Sequence, residues 1–267
     1  MKPDLFTAVM KTIGRTQDEN IRTAIDSALD TLNEKSNQNA EATINNALEA
    51  FSKAKSAHTE NMLKLNDIDA AITRSEKERQ NALNESAEAE QNWRTRFREL
   101  RGMMTPELKA EHSQRVAGRE LAEEFTALIA ELEDNKASTM LSACTSGDKY
   151  VGTHFTVFSA YSRNEWATVM KDIPPSLVRA FALRLRELEM KGEEHPHNVL
   201  IQELGENVLA QSRYYTFNMA QEPVISKIGL HRPALTGVDM KLFKSPVLRM
   251  ARAKELAQKK KSRGVKP

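Results

Sequence analysis

Hydrophobic and large side chains recur between residues 44 and 100 in alternating steps of three and four, and neither glycine nor proline interrupts them. This spacing is the heptad pattern of a helix that carries one seam along its side. We therefore predict a single long helix from about Asn46 to Arg101. The seam positions are Ile44, Leu48, Phe51, Lys55, His58, Met62, Leu65, Asp69, Ile72, Glu76, Arg79, Leu83, Ser86, Glu90, Trp93, Phe97 and Leu100.

This predicted seam is apolar at its ends but polar between Glu76 and Glu90, where Leu83 is its one apolar member. A continuous two-stranded coiled coil is therefore not expected over the middle. Two interpretations stay open. The helix belongs to an ordinary helical bundle, or it projects and packs on another protein.

A shorter amphipathic helix is predicted before the long one. Thr16 and Glu19 have the spacing of a capping box, which satisfies free amides at a helix start. Polar residues near 33–37 predict the end of this helix. Its apolar residues are Ile21, Ile25, Ala28, Leu29 and Leu32.

The long helix is predicted to stop at Gly102, after which Thr105 and Pro106 open a second helix that runs to about Asp134. Because the connection is short, this helix should fold back antiparallel on the first as a helical hairpin. Its apolar stripe consists of Leu108, His112, Val116, Leu121, Phe125, Leu128 and Leu132.

Three further helices are predicted between residues 138 and 221. Gly147 and Gly152 predict a break, after which helix is favoured over strand at 150–159 because no partner strand is nearby. Pro174 and Pro175 start the next helix, and a third follows the loop at 193–197.

The C-terminal part is predicted to be extended over 222–245 and helical after Ser245 and Pro246. The sequence thus predicts an all-α, elongated helical protein with a long antiparallel helical hairpin and an extended C-terminal segment. Its predicted divisions are an acidic N-terminal helical extension (1–45), the hairpin (46–134), a smaller helical bundle (135–221), and an extended arm with a basic C-terminal helix (222–267).

Composition agrees with a helical protein of the cytoplasm. Ten glycines and nine prolines among 267 residues are few for a loop-rich scaffold. Cys144 is the one cysteine, which excludes an internal disulfide and fits a reducing compartment. The sequence shows no secretory signal and no run of eighteen apolar residues, so we expect a soluble protein without a membrane partner.

Charge is unevenly distributed, although the formal net charge is only +2. Residues 17–49 carry seven acids against two bases, and residues 249–266 carry eight bases against one acid. The basic end suits phosphate contacts, but few aromatic residues are interleaved with it, so nucleic acid is the less favoured partner. An acidic protein surface would fit the same cations, and the two ends of the chain could attract each other.

The sequence predicts no catalytic, cofactor or metal site. His195 and His197 are split by a proline in a charged loop, and zinc would need further ligands. Cys144 lacks a nucleophile motif, and Gly147–Gly152 lacks the phosphate-loop and dinucleotide patterns. We therefore expect no enzyme activity.

Beside these patterns, the chain resembles the capsid size-determination (Sid) proteins of enterobacterial satellite phages from about Ala47 to the C-terminus. The matching residues are densest in the predicted hairpin and sparser beyond it. They are Lys53–Asn61, Trp93–Arg98, Glu107–Lys109, Arg115–Ala117, Arg119–Leu121, Glu222–Val224, Gly229–Leu230 and Ser245–Pro246.

The resemblance implies an external scaffold. Sid-like proteins assemble into an open cage on the outer surface of a helper phage's procapsid, bind its major capsid protein, and force a smaller shell. The implied location is therefore the host cytoplasm and the procapsid surface. The implied partners are the major capsid protein and other copies of the chain, in dimer or trimer contacts.

A weaker similarity, at Leu188–Glu193, Ile228–Gly229 and Arg232–Pro233, points to the polarity suppression (Psu) protein of the same satellites. That protein decorates capsids and inhibits the Rho terminator. Capsid decoration with antitermination is therefore an alternative function, and a basic nucleic-acid-binding adaptor is another.

Two groups of residues are predicted as protein interfaces. The first combines aromatic and guanidinium groups at the end of the long helix, since Trp and Arg are frequent in binding hot spots, although the aromatics also fit core packing. It consists of Trp93, Arg94, Arg96, Phe97 and Arg98. The second, in the C-terminal segment, consists of Pro223, Arg232, Arg249 and Arg252 and is predicted for self-association or capsid-protein contact.

Overall fold

The structure, a computed structural model, describes residues 19–262, with the side chains at 19–22, 25 and 26 left aside. These residues form helices joined by turns and loops, and none of them lies in a strand. The predicted all-α class is therefore confirmed, while Thr16 of the predicted capping box lies outside the described residues. The helices are α1 (Glu19–Glu99), α2 (Pro106–Lys171), α3 (Pro175–Met190), α4 (Pro196–Arg213), α5 (Ile225–Ile228), α6 (Met240–Lys244) and α7 (Pro246–Ser262).

Packing divides the chain into two compact units. Of the described residues, the first unit contains 19–51 and 153–232, and the second contains 52–152 and 233–262. Both long helices contribute to both units. The four divisions predicted from the sequence concern segments that follow one another along the chain, and they stay a prediction.

The predicted antiparallel hairpin is present in the second unit. Its turn uses backbone that glycine favours, with φ of 86° at Gly102, and the hydroxyl of Thr105 accepts a hydrogen bond from the Leu108 amide at 3.3 Å. Lys136 Nζ lies 2.5 Å from Asp69 Oδ1, and the Ser86 hydroxyl donates to the Arg115 carbonyl at 2.9 Å. These contacts fix the register of α2 against α1.

The seam of α1 differs from the predicted one in one of its two columns. Phe51, His58, Leu65 and Ile72 are buried as predicted, but the second column lies one residue earlier than expected. It is formed by Ala54, Ser75, Ala82 and Ala89, which are buried, whereas Lys55, Glu76 and Leu83 are exposed and Glu90 is only partly covered. The predicted position of this column is therefore wrong, because small residues, rather than large ones, fill the contact positions.

Small residues in the second column let the two helices of the second unit approach closely. A Cβ atom added at Gly118 of α2 would lie 3.1 Å from Ser86 Cβ and 3.2 Å from the Ala82 carbonyl oxygen. Such distances are tighter than ordinary van der Waals contact. The predicted stripe of α2 is accordingly shifted in part, since Leu108 and Ala122 are buried while Val116, Leu121 and Leu128 are exposed.

Gly118→Leu is expected to lower the free energy of unfolding by about 1–3 kcal/mol, because the added side chain overpacks this contact. Gly152, also in α2, has no atom within 4 Å of an added Cβ. Gly152→Leu is therefore the matched control, and its better helix propensity should leave stability unchanged or raised. Urea unfolding of both variants checks this, and equal losses in both would contradict the close packing at Gly118.

Three predicted helix ends are wrong. Helix α1 runs through the polar residues at 33–37, where the Lys171 ammonium donates to Asn37 Oδ1 at 3.2 Å within the first unit. Helix α2 runs past Asp134 and through Gly147 and Gly152 to Lys171. Gly147 is buried, and a Cβ there would meet His58 and Leu235 at 3.3 Å, so this glycine serves packing. Extending a formed helix is cheaper than starting one, which outweighs single unfavourable residues.

The segment 222–245 contains two short helices, α5 in the first unit and α6 in the second. In the first unit, Val224, Ile225 and Ile228 are buried, and the Tyr161 hydroxyl donates to Glu222 Oε2 at 2.9 Å. In the second unit, Val238 and Phe243 form a buried cluster with Cys144. Short helices α5 and α6 thus stand where the sequence predicted extended chain, and the role of the segment as an arm stays a prediction.

Helices α3 and α4 of the first unit form a small hairpin of their own. The Arg184 guanidinium donates to both carboxylate oxygens of Glu203, at 2.6 and 3.1 Å, and to Glu187 at 2.8 Å. The Lys191 ammonium, which donates to Glu187 at 2.6 Å, and then Arg184 lower the pKa of Glu187 to about 2. Leu188 and Leu200 are buried, but most of the apolar side chains of this hairpin remain exposed.

Candidate protein-interaction surfaces

The elbow of the hairpin, residues 93–115, contains the aromatic part of the first predicted interface. Trp93 stacks on Phe97 with ring centroids 5.1 Å apart and meets His112 edge-on at 5.6 Å. The Arg115 guanidinium lies 5.1 Å from the centre of the Trp93 ring, a cation–π contact. Both aromatics are half-buried against α2, so they also hold the elbow together.

The three arginines of this group stand in different surroundings. Arg94 forms an ion pair with Glu90 one turn earlier, and Arg96 binds Glu111 of α2 at 2.6 Å. Arg98 is exposed, and no side-chain partner holds it within the described part of the chain. Among these three, Arg98 is therefore the cation that a partner reaches without breaking an ion pair.

Two polar atoms of the elbow are buried with no hydrogen-bond partner among the described residues. They are Trp93 Nε1 and Glu111 Oε2. A buried indole N–H usually finds an acceptor, so the packing of the elbow leaves one such hydrogen bond unmade. The interface role of Trp93, Arg94, Arg96, Phe97 and Arg98 stays a prediction.

The second predicted group is dispersed over both units. Pro223 and Arg232 are exposed in the first unit, while Arg249 and Arg252 of the second are half-buried on the inner side of α7. Arg252 is held by Glu255 at 2.7 Å. The buried residues next to Arg249 and Arg252 hold the C-terminal segment in place. The interface role of the group stays a prediction.

Cys144 is fully buried and packs with Val238 and Phe243 of the C-terminal segment. Burial raises the pKa of its thiol, and its Sγ lies 3.9 Å from the Asp239 carbonyl oxygen. The Asp239 carboxylate caps α6 by accepting from the amides of Lys241 and Leu242 at 2.8 and 3.2 Å. A buried, neutral thiol is a packing group and a poor nucleophile.

His58 is the centre of a buried polar network in the second unit. Its Nδ1 lies 3.2 Å from the Ser146 hydroxyl, which also accepts from the Asn61 amide at 3.0 Å and donates to the Ala143 carbonyl at 3.2 Å. Its ring stacks on Tyr150 with centroids 5.8 Å apart. Burial lowers the pKa of His58, against a smaller opposing effect of the Ala143 carbonyl.

A lowered pKa of His58 means that the folded chain disfavours its protonated form. Stability from this group is fully present above about pH 6.5, the ordinary histidine pKa, and is lost as the pH falls through the lower pKa of the folded state. Thermal unfolding between pH 7.5 and 5 should therefore show a steeper loss in the wild type than in His58→Gln. His231, which is exposed, gives the control variant His231→Gln, and equal slopes in wild type and His58→Gln would contradict the assignment.

The first unit carries an exposed apolar stripe that sequence reasoning missed. It consists of Phe155, Trp166, Val169 and Met170 on one face of α2, with Ile173 just after the helix. Phe155, Trp166 and Val169 are 70%, 67% and 61% exposed. The sequence signal for this stripe is the recurrence of apolar residues at 155, 166, 169 and 173, which differs in helical phase from the buried positions 154 and 157.

Further aromatic residues of the first unit are exposed after α4. Tyr214 and Tyr215 face solvent, and the Tyr215 and Phe217 rings meet edge-on with centroids 5.0 Å apart. Contiguous exposed apolar surface beyond a few hundred Å² is uncommon on monomeric proteins and marks protein contacts. The apolar stripe and these aromatics are therefore the strongest interaction signal in the first unit.

The described residues offer little for other chemistry. Among them, no group of three or more His, Cys, Asp and Glu side chains is arranged to hold a metal ion, and the His195 and His197 rings are 6.4 Å apart. Between residues 19 and 262, no helix is long and apolar enough to cross a membrane.

Comparison with known proteins gives two relatives from one satellite phage. Glycoprotein 3 of enterobacteria phage P4 is 26% identical over 211 residues, which are 76% of this chain and 86% of the relative. A chain of the satellite phage P4 procapsid including size determination (Sid) protein has the same fold, with a TM-score of 0.72 at 24% identity over 83% of this chain and 97% of that chain. The predicted resemblance to Sid is thus confirmed. No protein-family model matches the chain.

Proposed function

We propose that this protein is a capsid size-determination scaffold of a satellite phage. It binds the outside of a helper phage's procapsid, assembles with further copies into a cage, and redirects assembly to a smaller shell. Its partners are the helper's major capsid protein and other copies of itself, and its place is the procapsid surface in the host cytoplasm.

The observation that carries this proposal is the extent of the two matches, which cover 86% of glycoprotein 3 in sequence and 97% of the P4 procapsid chain in structure. The apolar stripe supports a protein-binding role, because isolated soluble proteins seldom expose Phe, Trp and Val so fully on one helix face.

Size control follows from geometry rather than from one strong contact. A cage stabilises one local curvature of the shell through many weak interfaces, each repeated by symmetry. Repetition raises the effective concentration of every further contact once the first has formed. Such a scaffold needs no catalytic group, and the buried, neutral Cys144 fits that account.

The proposal is tested by producing the helper's major capsid protein and internal scaffold with and without this protein. Electron microscopy should give smaller shells only when it is present, with the protein sedimenting together with them. Shells of one size in both preparations, with this protein absent from the particles, would contradict a scaffold role.

The same experiment separates the alternative of capsid decoration. A decoration protein binds finished shells without changing their size, and inhibition of Rho would be measured by transcript read-through. Binding to full-sized mature shells, with no effect on diameter, would favour decoration. Salt-sensitive DNA binding that requires residues 252–266 would favour the nucleic-acid adaptor.

A further inference from the structure

Two oppositely charged helix faces have no partners among residues 19–262. In α1, Asp30, Glu34 and Glu41 are exposed and lie on one side of the helix, since they are spaced by four and seven residues. In α7, Lys254 and Lys261 are exposed and are also seven residues apart. We call these the acidic face and the basic face.

Charged side chains near the basic face form ion pairs within the described part of the chain, whereas those of the two faces form none there. Arg252 pairs with Glu255 at 2.7 Å, and Lys259 lies 3.4 Å from Asp134. Within residues 19–262, no ion pair or side-chain hydrogen bond holds any of the five side chains of the two faces. On one side of α7, Leu256 is buried and Arg249 and Arg252 are half-buried. The opposite side, which carries Lys254 and Lys261, therefore faces solvent.

The charges of the two faces are opposite in sign and have the same spacing along their helices. Seven residues of an α-helix rise about 10 Å, so Glu34 and Glu41 are as far apart along α1 as Lys254 and Lys261 are along α7. Two helices that lie side by side can therefore form both ion pairs together. The apolar side chains Val247 and Met250 stand on the same outer side of α7 and are 69% and 65% exposed, which adds apolar area to such a contact.

We propose that the acidic face of one copy binds the basic face of a second copy. The contact joins two different patches, so it is head-to-tail and links copies into chains or rings; a cage then needs at least one further kind of contact. The inference rests on the proposed function, since it names one contact between copies of the scaffold. Single exposed ion pairs are weak, and the contact should therefore weaken as salt is raised.

Two charge-reversed variants test this contact in the purified full-length protein, without capsid protein. Glu34→Lys with Glu41→Lys makes both faces basic, and Lys254→Glu with Lys261→Glu makes both acidic. By sedimentation velocity, each variant alone should associate about tenfold or more weakly than the wild type. An equimolar mixture should associate again, because each face then meets its opposite on the other variant.

A control on the same helix has the same charge change and spacing. Glu78 and Glu85 are exposed in α1 and seven residues apart, and Glu78→Lys with Glu85→Lys should leave association unchanged. Three results would overturn the inference: a wild type that stays monomeric, variants that associate like the wild type, or a mixture that does not recover.

The outcomes also separate this inference from the proposed function. If the mixture fails to recover and the basic-face variant instead loses binding to capsid protein or DNA, the basic face serves that other partner and the inference is wrong. Size control in the co-production experiment is measured independently. A wild type that makes small shells but stays monomeric when purified would leave the scaffold role intact and refute only this contact.

Discussion

Replacing Trp166 and Val169 together with glutamate is expected to abolish the formation of small shells. Both side chains belong to the apolar stripe and are about two-thirds exposed, so their loss should leave the fold intact. A carboxylate placed in an apolar protein contact must be desolvated without a partner, which costs several kcal/mol in an interface and little in solvent. Particle diameters from negative-stain images, with the helper's capsid proteins co-produced, give the measurement.

The control for this experiment lies on the same turn of α2. Ala167 is exposed but falls outside the stripe, so Ala167→Glu adds a carboxylate at a position that no apolar contact should cover. Small shells should persist with this control. If the Trp166 and Val169 variant also yields small shells in normal number while circular dichroism shows it folded, the stripe has no part in size control.

The largest effect on stability is expected for Leu108→Ala. Leu108 begins the inner face of α2 at the elbow and has no solvent exposure. Truncating a fully buried leucine removes its burial and leaves a cavity, which together cost about 2–5 kcal/mol. The midpoint of urea unfolding should fall accordingly.

Leu121→Ala is the matched control, because Leu121 lies in the same helix and is 50% exposed. Its truncation is expected to cost less than about 1 kcal/mol. Sequence periodicity placed both leucines in one apolar stripe, so the pair of variants tests the corrected seam directly. Similar losses for the two variants would favour the stripe predicted from the sequence.

Periodicity predicted the helix type and the hairpin well, because a long run without glycine or proline and a turn at Gly102 leave few alternatives. It predicted Phe51, His58, Leu65 and Ile72 correctly, since large side chains at one seam position fill the space between helices. It failed for Ala54, Ser75, Ala82 and Ala89. Small residues are buried through close approach of the partner helix, and their own hydrophobicity gives almost no signal.

Helix ends were harder to predict than helices. Local rules assign a break to Gly147 and Gly152 and to the polar residues near 33–37, since each is a weak helix former. In the folded chain, Gly147 is required by its contacts with His58 and Leu235, and Asn37 accepts a hydrogen bond from Lys171. Both reasons lie in tertiary structure, which sequence spacing does not contain.

Of the candidate surfaces, the elbow could be predicted from the sequence and the apolar stripe could not. The sequence predicts the aromatic and arginine residues of the elbow as a group. Trp93 and Phe97 lie against α2, which agrees with the alternative interpretation that they pack in the core. The apolar stripe was not identified, because Trp166 and Met170 fit the apolar spacing of a buried helix face equally well. Exposure is what distinguishes a core face from a binding face, and it follows only from where the partner helices lie.

The measurement that tests the scaffold role most directly is a reconstruction by electron cryo-microscopy of shells assembled from the helper's capsid proteins together with this protein. We predict shells of reduced diameter with helical density on their outer surface, and only larger, bare shells when the protein is omitted. Outer density on shells of unchanged diameter, or small shells without any outer density, would contradict the account.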